Sequence, residues 1–157
     1  MEKGYILFLI DGDCTLCNRL IVWILNRRKT DNIRFFTLQS QHSINFLNTV
    51  GLGDAELMNT SYLVTPGGVF EKSRAFFRLS AYLRRRYSLL RIFSFIPTRA
   101  TDFFYDLIAR NRYRLFGKEY VFCDYSLRHY SHFMLTEDEA SLFFEEIRKT
   151  YVKDQQE

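Results

Sequence analysis

The chain has 157 residues, 47% of them hydrophobic and 16 of them Phe. That is enough apolar mass for one packed domain over residues 1–157 and too much for an intrinsically disordered chain. The net charge is +4, no apolar run nears the roughly 20 residues that a membrane helix needs, and three cysteines make no disulfide scaffold.

Residues 5–10 form a short, wholly apolar run rich in Ile, Phe and Leu, which predicts a central strand. The run is too short for a secretory signal and abuts an acidic turn, so a cytoplasmic protein is expected. Asp11-Gly12-Asp13 is that turn. Beyond it Leu16, Leu20, Trp23 and Ile24 recur at helical spacing, with Cys17, Ile21 and Leu25 widening the face. The helix should end around Arg27-Arg28-Lys29, cations suited to its negative end. After turn residues 30–32, residues 33–38 read as a second strand, and the crossover makes the pair parallel. Gln39 and Ser40 begin a loop, a short helix covers 43–50, and Gly51 and Gly53 end it.

Residues 61–65 are a third strand, Pro66-Gly67-Gly68 a hairpin turn and residues 69–71 the returning strand. Ser73 should cap a helix that buries Phe76, Leu79 and Leu83. A shorter segment over 89–96 stops at Pro97. A long helix then spans 98–116, with Ala100, Phe103, Phe104, Leu107 and Ile108 on one apolar face and Gly117 as its stop. Thr136 and Glu139 form a capping box that opens a final helix with Leu142, Phe143 and Ile147 inward. The tail from Asp154 should fray.

Cys14 and Cys17 sit where a strand hands over to a helix. Free N–H groups and the helix dipole there favour a thiolate, which predicts Cys14 as nucleophile and Cys17, one turn on, as the resolving thiol. Two buried small residues would be the bland alternative. Asp11 is a candidate proton acceptor for Cys17 or a turn cap, Asp13 the expected helix cap, and both carboxylates should raise the pKa of Cys14.

These residues carry a resemblance. Asp11-x-x-Cys14-x-x-Cys17-Asn18, then Leu38-Gln39-Ser40, Ser73-x-Ala75 and the run from Tyr105 through Asn111-Arg112-Tyr113-Arg114 to Phe116-Gly117 resemble the DCC family of thiol–disulfide oxidoreductases. The likeness covers about residues 5–125, leaving 126–157 as a C-terminal extension. It implies an α/β, thioredoxin-like fold: a mixed β-sheet flanked by helices, with extra helices after the core. It implies exchange with a protein or small-molecule thiol or disulfide, with no cofactor and no metal. Thioredoxin-like proteins place a cis-proline before the third strand; here Thr60 or Ser61 takes that place, with a trans bond expected. Thr60, Ser61, Gln39 and Ser40 are the candidate substrate contacts.

Two other readings compete. Asp11-x-Asp13-x-Thr15 resembles the first motif of haloacid dehalogenase-type phosphotransferases, with Asp11 as nucleophile, Asp13 as acid/base and Mg²⁺ as cofactor, but no later acidic cluster follows. Cys14 and Cys17 with Cys123, His129 or His132 would make a zinc module, although the gap is unlike a compact finger. Cys123 reads more simply as a buried apolar residue. Arg74, Arg78, Arg84, Arg85, Arg86, Arg91, Arg99, Arg110, Arg112 and Arg114 crowd the middle of the chain. Such a run suits nucleic acid or an anionic surface; without a nucleic-acid motif the simpler role is a solvated helix face. At least one of Arg110, Arg112 and Arg114 should pair with Asp106, Asp11 or Asp13 and brace the inserted helix.

Overall fold

The computed structural model of the chain describes residues 4–53, 59–88, 95–117 and 130–154. Strand β1 (Ile6–Ile10) is buried at every position because it lies inside a four-stranded sheet of order β2-β1-β3-β4. On one side β2 (Ile33–Thr37) runs parallel to it, Phe8 opposite Phe35. On the other, β3 (Tyr62–Thr65) runs antiparallel, Phe8 opposite Leu63. The hairpin partner β4 (Gly68–Glu71) forms the edge. The sheet is therefore mixed and flanked by helices, the expected thioredoxin-like α/β class.

Alternation along β1 divides the core in two. Ile6, Phe8 and Ile10 pack with Ile21, Ile24, Ala75 and Leu79, which come from α1 (Thr15–Leu25) and α3 (Lys72–Leu79). Leu7 and Leu9 pack with Phe46, Leu47, Phe143 and Phe144, from α2 (Gln41–Thr49) and the C-terminal helix, Glu137–Asp154. Phe46 and Phe144 stack at 4.6 Å, fixing α2 against that last helix. Between them, a short α4 (Arg85–Ser88) precedes α5 (Thr98–Phe116), which packs on α3 and α1; the C-terminal helix is thus α6.

Several local expectations change. Helix α1 stops at Leu25, short of the expected end, but the cations meet its last carbonyls as anticipated: Arg27 donates to the Trp23 carbonyl and Arg28 to that of Leu25. The buried stripe of α1 is Cys17, Ile21, Ile24 and Leu25, with Leu16, Leu20 and Trp23 only partly covered. Glu71, not Ser73, holds the N-cap of α3, and the Ser73 hydroxyl donates to Asp102 at 2.5 Å. The capping box of α6 forms as expected, Thr136 N–H to Glu139 at 2.9 Å, but Leu142 faces outward. The segment over 89–96 lies largely outside the described residues.

Helix α5 has the expected bounds and the opposite orientation. Phe103, Phe104, Leu107 and Ile108 are exposed, while Ala109 and Arg112 are buried. Polar bonds place it. Asp102 accepts from Ser73, Asp106 from Lys72 at 3.2 Å, and the Tyr105 hydroxyl donates to Ser61 Oγ at 3.1 Å. Turning the apolar stripe inward would strip these groups of partners, at a cost that buried polar atoms do not tolerate.

Candidate functional site

Strand β1 ends at Ile10, and the chain turns through Asp11-Gly12-Asp13 into α1. The N-cap is Cys14, in extended conformation, not Asp13. Its sulfur accepts the Cys17 backbone N–H at 3.4 Å, filling the place that a Ser or Asp oxygen takes in most caps. The turn is held from below by Gln39, whose Oε1 accepts the Gly12 N–H at 3.0 Å. A Cβ on Gly12 would meet Thr37 Oγ1 at 2.9 Å and Gln39 Oε1 at 3.2 Å, so a larger residue would push these two side chains away from the turn.

Asp11 is 3% exposed and Arg112 5%, and Arg112 Nη2 donates to Asp11 Oδ2 at 2.5 Å. Tyr113 donates its hydroxyl to the same oxygen. The other oxygen, Oδ1, accepts Gln39 Nε2 at 2.6 Å and the Asp13 N–H at 3.0 Å. A carboxylate offers about four acceptor positions, and all four are taken. Burial raises the Asp11 pKa, but the bonds from Tyr113, Arg112, Asp13 and Gln39 outweigh it and hold the carboxyl below its ordinary value. Such a group is a weak base with no lone pair to spare, so the geometry gives Asp11 the part of counter-ion to Arg112 rather than proton acceptor for Cys17. The expectation that at least one of Arg110, Arg112 and Arg114 pairs with an acid is met by Arg112 with Asp11, and Lys72 bridges to Asp106.

The two sulfurs divide their charge. The Cys17 thiol bonds to the Cys14 sulfur, and with the Cys17 N–H and the charge of Arg112 it outweighs burial and Asp11 to bring Cys14 down to about 6. Donating that proton, burial and the neighbouring Cys14 charge all push Cys17 upward. Asp11 thus raises the Cys14 pKa, as the turn's acidity predicts, and is outvoted. Both sulfurs are free, Cys14 wholly buried and Cys17 8% exposed.

That exposure opens into a cavity of about 170 Å³. Asp11, Arg112 and Cys17 meet there with Thr60, Ser61 and Phe76. Thr60 and Ser61 therefore stand beside Cys17 as the third-strand position requires, and the described peptide bonds are all trans. Gln39 and Ser40 are not on this cavity. Gln39 supports the turn, and Ser40 caps α2 and donates to Glu137 at 2.6 Å. Sequence reasoning missed Tyr105 and Tyr113 as site residues, although both lie in the quoted run that ends at Gly117.

The rival chemistries find less support. A phosphotransferase nucleophile needs a free carboxylate oxygen, which Asp11 lacks. Among the described residues no three His, Cys, Asp or Glu side chains gather as metal ligands. Cys123 and His129 lie outside those residues, and the His132 ring lies 4.1 Å from that of Phe133. Among the described residues no helix is long and apolar enough to cross a membrane.

A buried strand delivering a cysteine pair to a helix N-terminus defines the dithiol class within mixed-sheet α/β folds. The chain belongs to the DCC1-like thiol-disulfide oxidoreductase family, matched over residues 8–118. It is similar to YuxK of Bacillus subtilis, itself uncharacterized: 33% identity over 111 residues, covering 71% of this chain and 80% of that one. A chloroplastic DCC family protein of Arabidopsis thaliana is 30% identical over 113 residues, covering 71% of this chain and 65% of its own. No solved structure matches significantly.

Proposed function

We propose that the chain catalyses thiol–disulfide exchange, with Cys14 attacking and Cys17 resolving. The observation that carries this is the Cys14 sulfur at the N-cap of α1, where it accepts the Cys17 N–H at 3.4 Å. Cys14, held near 6 by the thiol and N–H of Cys17, is largely thiolate at neutral pH, and only a thiolate attacks. Cys17 keeps its proton until the second step.

The Cys14 thiolate attacks one sulfur of a substrate disulfide, forming a mixed disulfide and expelling the other sulfur as a thiolate. Cys17 then attacks the Cys14 sulfur. The internal disulfide forms, the bond to substrate breaks, and the proton of Cys17 passes to the departing sulfur. The substrate loses its disulfide and the protein gains one. No cofactor enters this half-reaction, and exchange with a second dithiol, which is oxidised in turn, returns Cys14 and Cys17 to the thiol state. The substrate sulfur approaches through the cavity beside Cys17, along Thr60 and Ser61, and the Asp11–Arg112 pair keeps the floor neutral. Cys14 lies beneath the surface, so attack follows a local opening of the 12–14 turn.

Cys17→Ser should accumulate mixed disulfides through Cys14 when offered a model disulfide, resolved by mass spectrometry, and Cys14→Ser should accumulate none. Equal trapping by both variants would overturn the division of roles. Absence of an internal Cys14–Cys17 disulfide after mild oxidation of the native chain would overturn the activity itself.

A further inference from the structure

We propose that the substrate is a small, uncharged disulfide whose short hydrocarbon group is held in the cavity beside Cys17, and not a disulfide of a protein chain. This rests on the exchange chemistry proposed above and names what enters it. The backbone at Ser61 is closed to a peptide. An extended segment binds by adding itself to free N–H and C=O groups along a sheet edge. Strand β3 is no edge, since β1 and β4 flank it. Ser61, which leads into β3 and lines the cavity, has both backbone groups engaged. Its N–H donates to the Tyr105 hydroxyl at 2.8 Å, and its carbonyl accepts the Lys72 N–H at 3.1 Å. The same hydroxyl donates to Ser61 Oγ. Tyr105 thus stands where a substrate backbone would run, and α5 stands there with it.

Size and polarity select within the cavity. Its volume is about 170 Å³, and a cavity of about 150 Å³ lined by Leu, Ile and Phe holds a single benzene ring. A hydrocarbon group of three to six carbons therefore fits, and a tripeptide such as half of oxidised glutathione does not. Leu16, Leu20, Phe76 and Ile108 supply apolar wall. Among the described residues that line it only Asp11 and Arg112 carry charge, and these bond to each other. A charged substrate group would lose its water there and gain no counter-ion. The step is the exchange already described. The Cys14 thiolate forms the mixed disulfide with the held half, and the other half leaves as its thiolate. Cys17 then attacks the Cys14 sulfur, and the held half departs with the Cys17 proton. One disulfide becomes two small thiols while the two cysteines become a disulfide.

Single-turnover rates of the reduced native chain test this with dimethyl, diethyl and dipropyl disulfide, oxidised glutathione and insulin. Each rate is divided by that of dithiothreitol with the same disulfide, which removes differences in intrinsic reactivity. The ratio should rise roughly 4-fold for each methylene buried, about 15-fold from methyl to propyl. Glutathione disulfide and insulin gain nothing from the cavity and should stay at or below dimethyl disulfide. Ile108→Trp, a larger side chain at a half-exposed point of the wall, should flatten the rise with chain length. Ratios independent of chain length, or insulin or glutathione disulfide reacting faster than dipropyl disulfide, would overturn the inference and leave the exchange chemistry standing. No reaction with any of the five would overturn the exchange reading and this inference together.

Discussion

Removing either member of the Asp11–Arg112 pair leaves the other charged in a place nearly closed to water. Asp11→Asn and Arg112→Met should therefore each cost about 3–5 kcal/mol, and the double variant clearly less than their sum. Urea unfolding of the four proteins measures the coupling; strict additivity would mean that the pair does not interact. The two changes should also move Cys14 in opposite directions. Asp11→Asn removes a negative charge and lowers its pKa further, whereas Arg112→Met leaves Asp11 uncompensated and raises it. Alkylation rates across pH read both. The cysteines and Asp11 were legible in the sequence because their chemistry is local to one turn. Arg112 was foreseen as one of several possible partners of Asp11, but Gln39 and Tyr113 were not. Gln39 lies 28 residues away and Tyr113 102, and only the assembled sheet and helix bring them to one carboxylate.

Helix α5 shows what a pattern reading sees and what it misses. Its limits follow from Pro97 and Gly117, whose backbones start and stop a helix; Gly117 sits at φ 80. Its orientation follows from partners elsewhere, Ser61, Lys72 and Ser73, that periodicity cannot count. The β-α-β unit and hairpin were legible for the opposite reason, since hydrophobic runs and turn residues set them directly. Exchanging a side chain on each face of α5 tests the assignment. Leu107→Gln, at a half-exposed position, should stay within about 0.5 kcal/mol of the parent. Ala109→Leu, forced into the packed side, should cost about 1–3 kcal/mol. Thermal unfolding ranks them, and the reverse ranking would mean that the apolar stripe packs inward after all.

At the scale of the whole molecule, stability of the reduced protein should follow pH through the site. Asp11 is held below its ordinary 3.8, so its contribution is complete above that value and is lost as pH falls through the lowered one. Cys14 falls from 9.0 to about 6, so its contribution is complete above 9.0 and drains away as pH drops toward 6. Cys17 is raised and acts in the other sense, favouring the fold below 9.0 and opposing it above. The reduced native chain should thus gain stability over Cys14→Ser as pH rises from about 6 to 9, and Asp11→Asn should have a flatter acid limb. Urea unfolding under reductant at a series of pH values checks this; parallel curves would count against the charge assignments. The Asp11–Arg112 contact also spans 101 residues, a long loop to close. During synthesis the acidic turn and both cysteines emerge well before the arginine that balances them. Until the turn and α1 have folded, Cys14 lacks its bonds from Cys17 and keeps the ordinary value of 9.0, so at neutral pH the sulfur holds its proton. If Cys14 is the proposed nucleophile, a newly made chain should exchange with disulfides more slowly than the folded one, because its thiolate forms only with the folded turn.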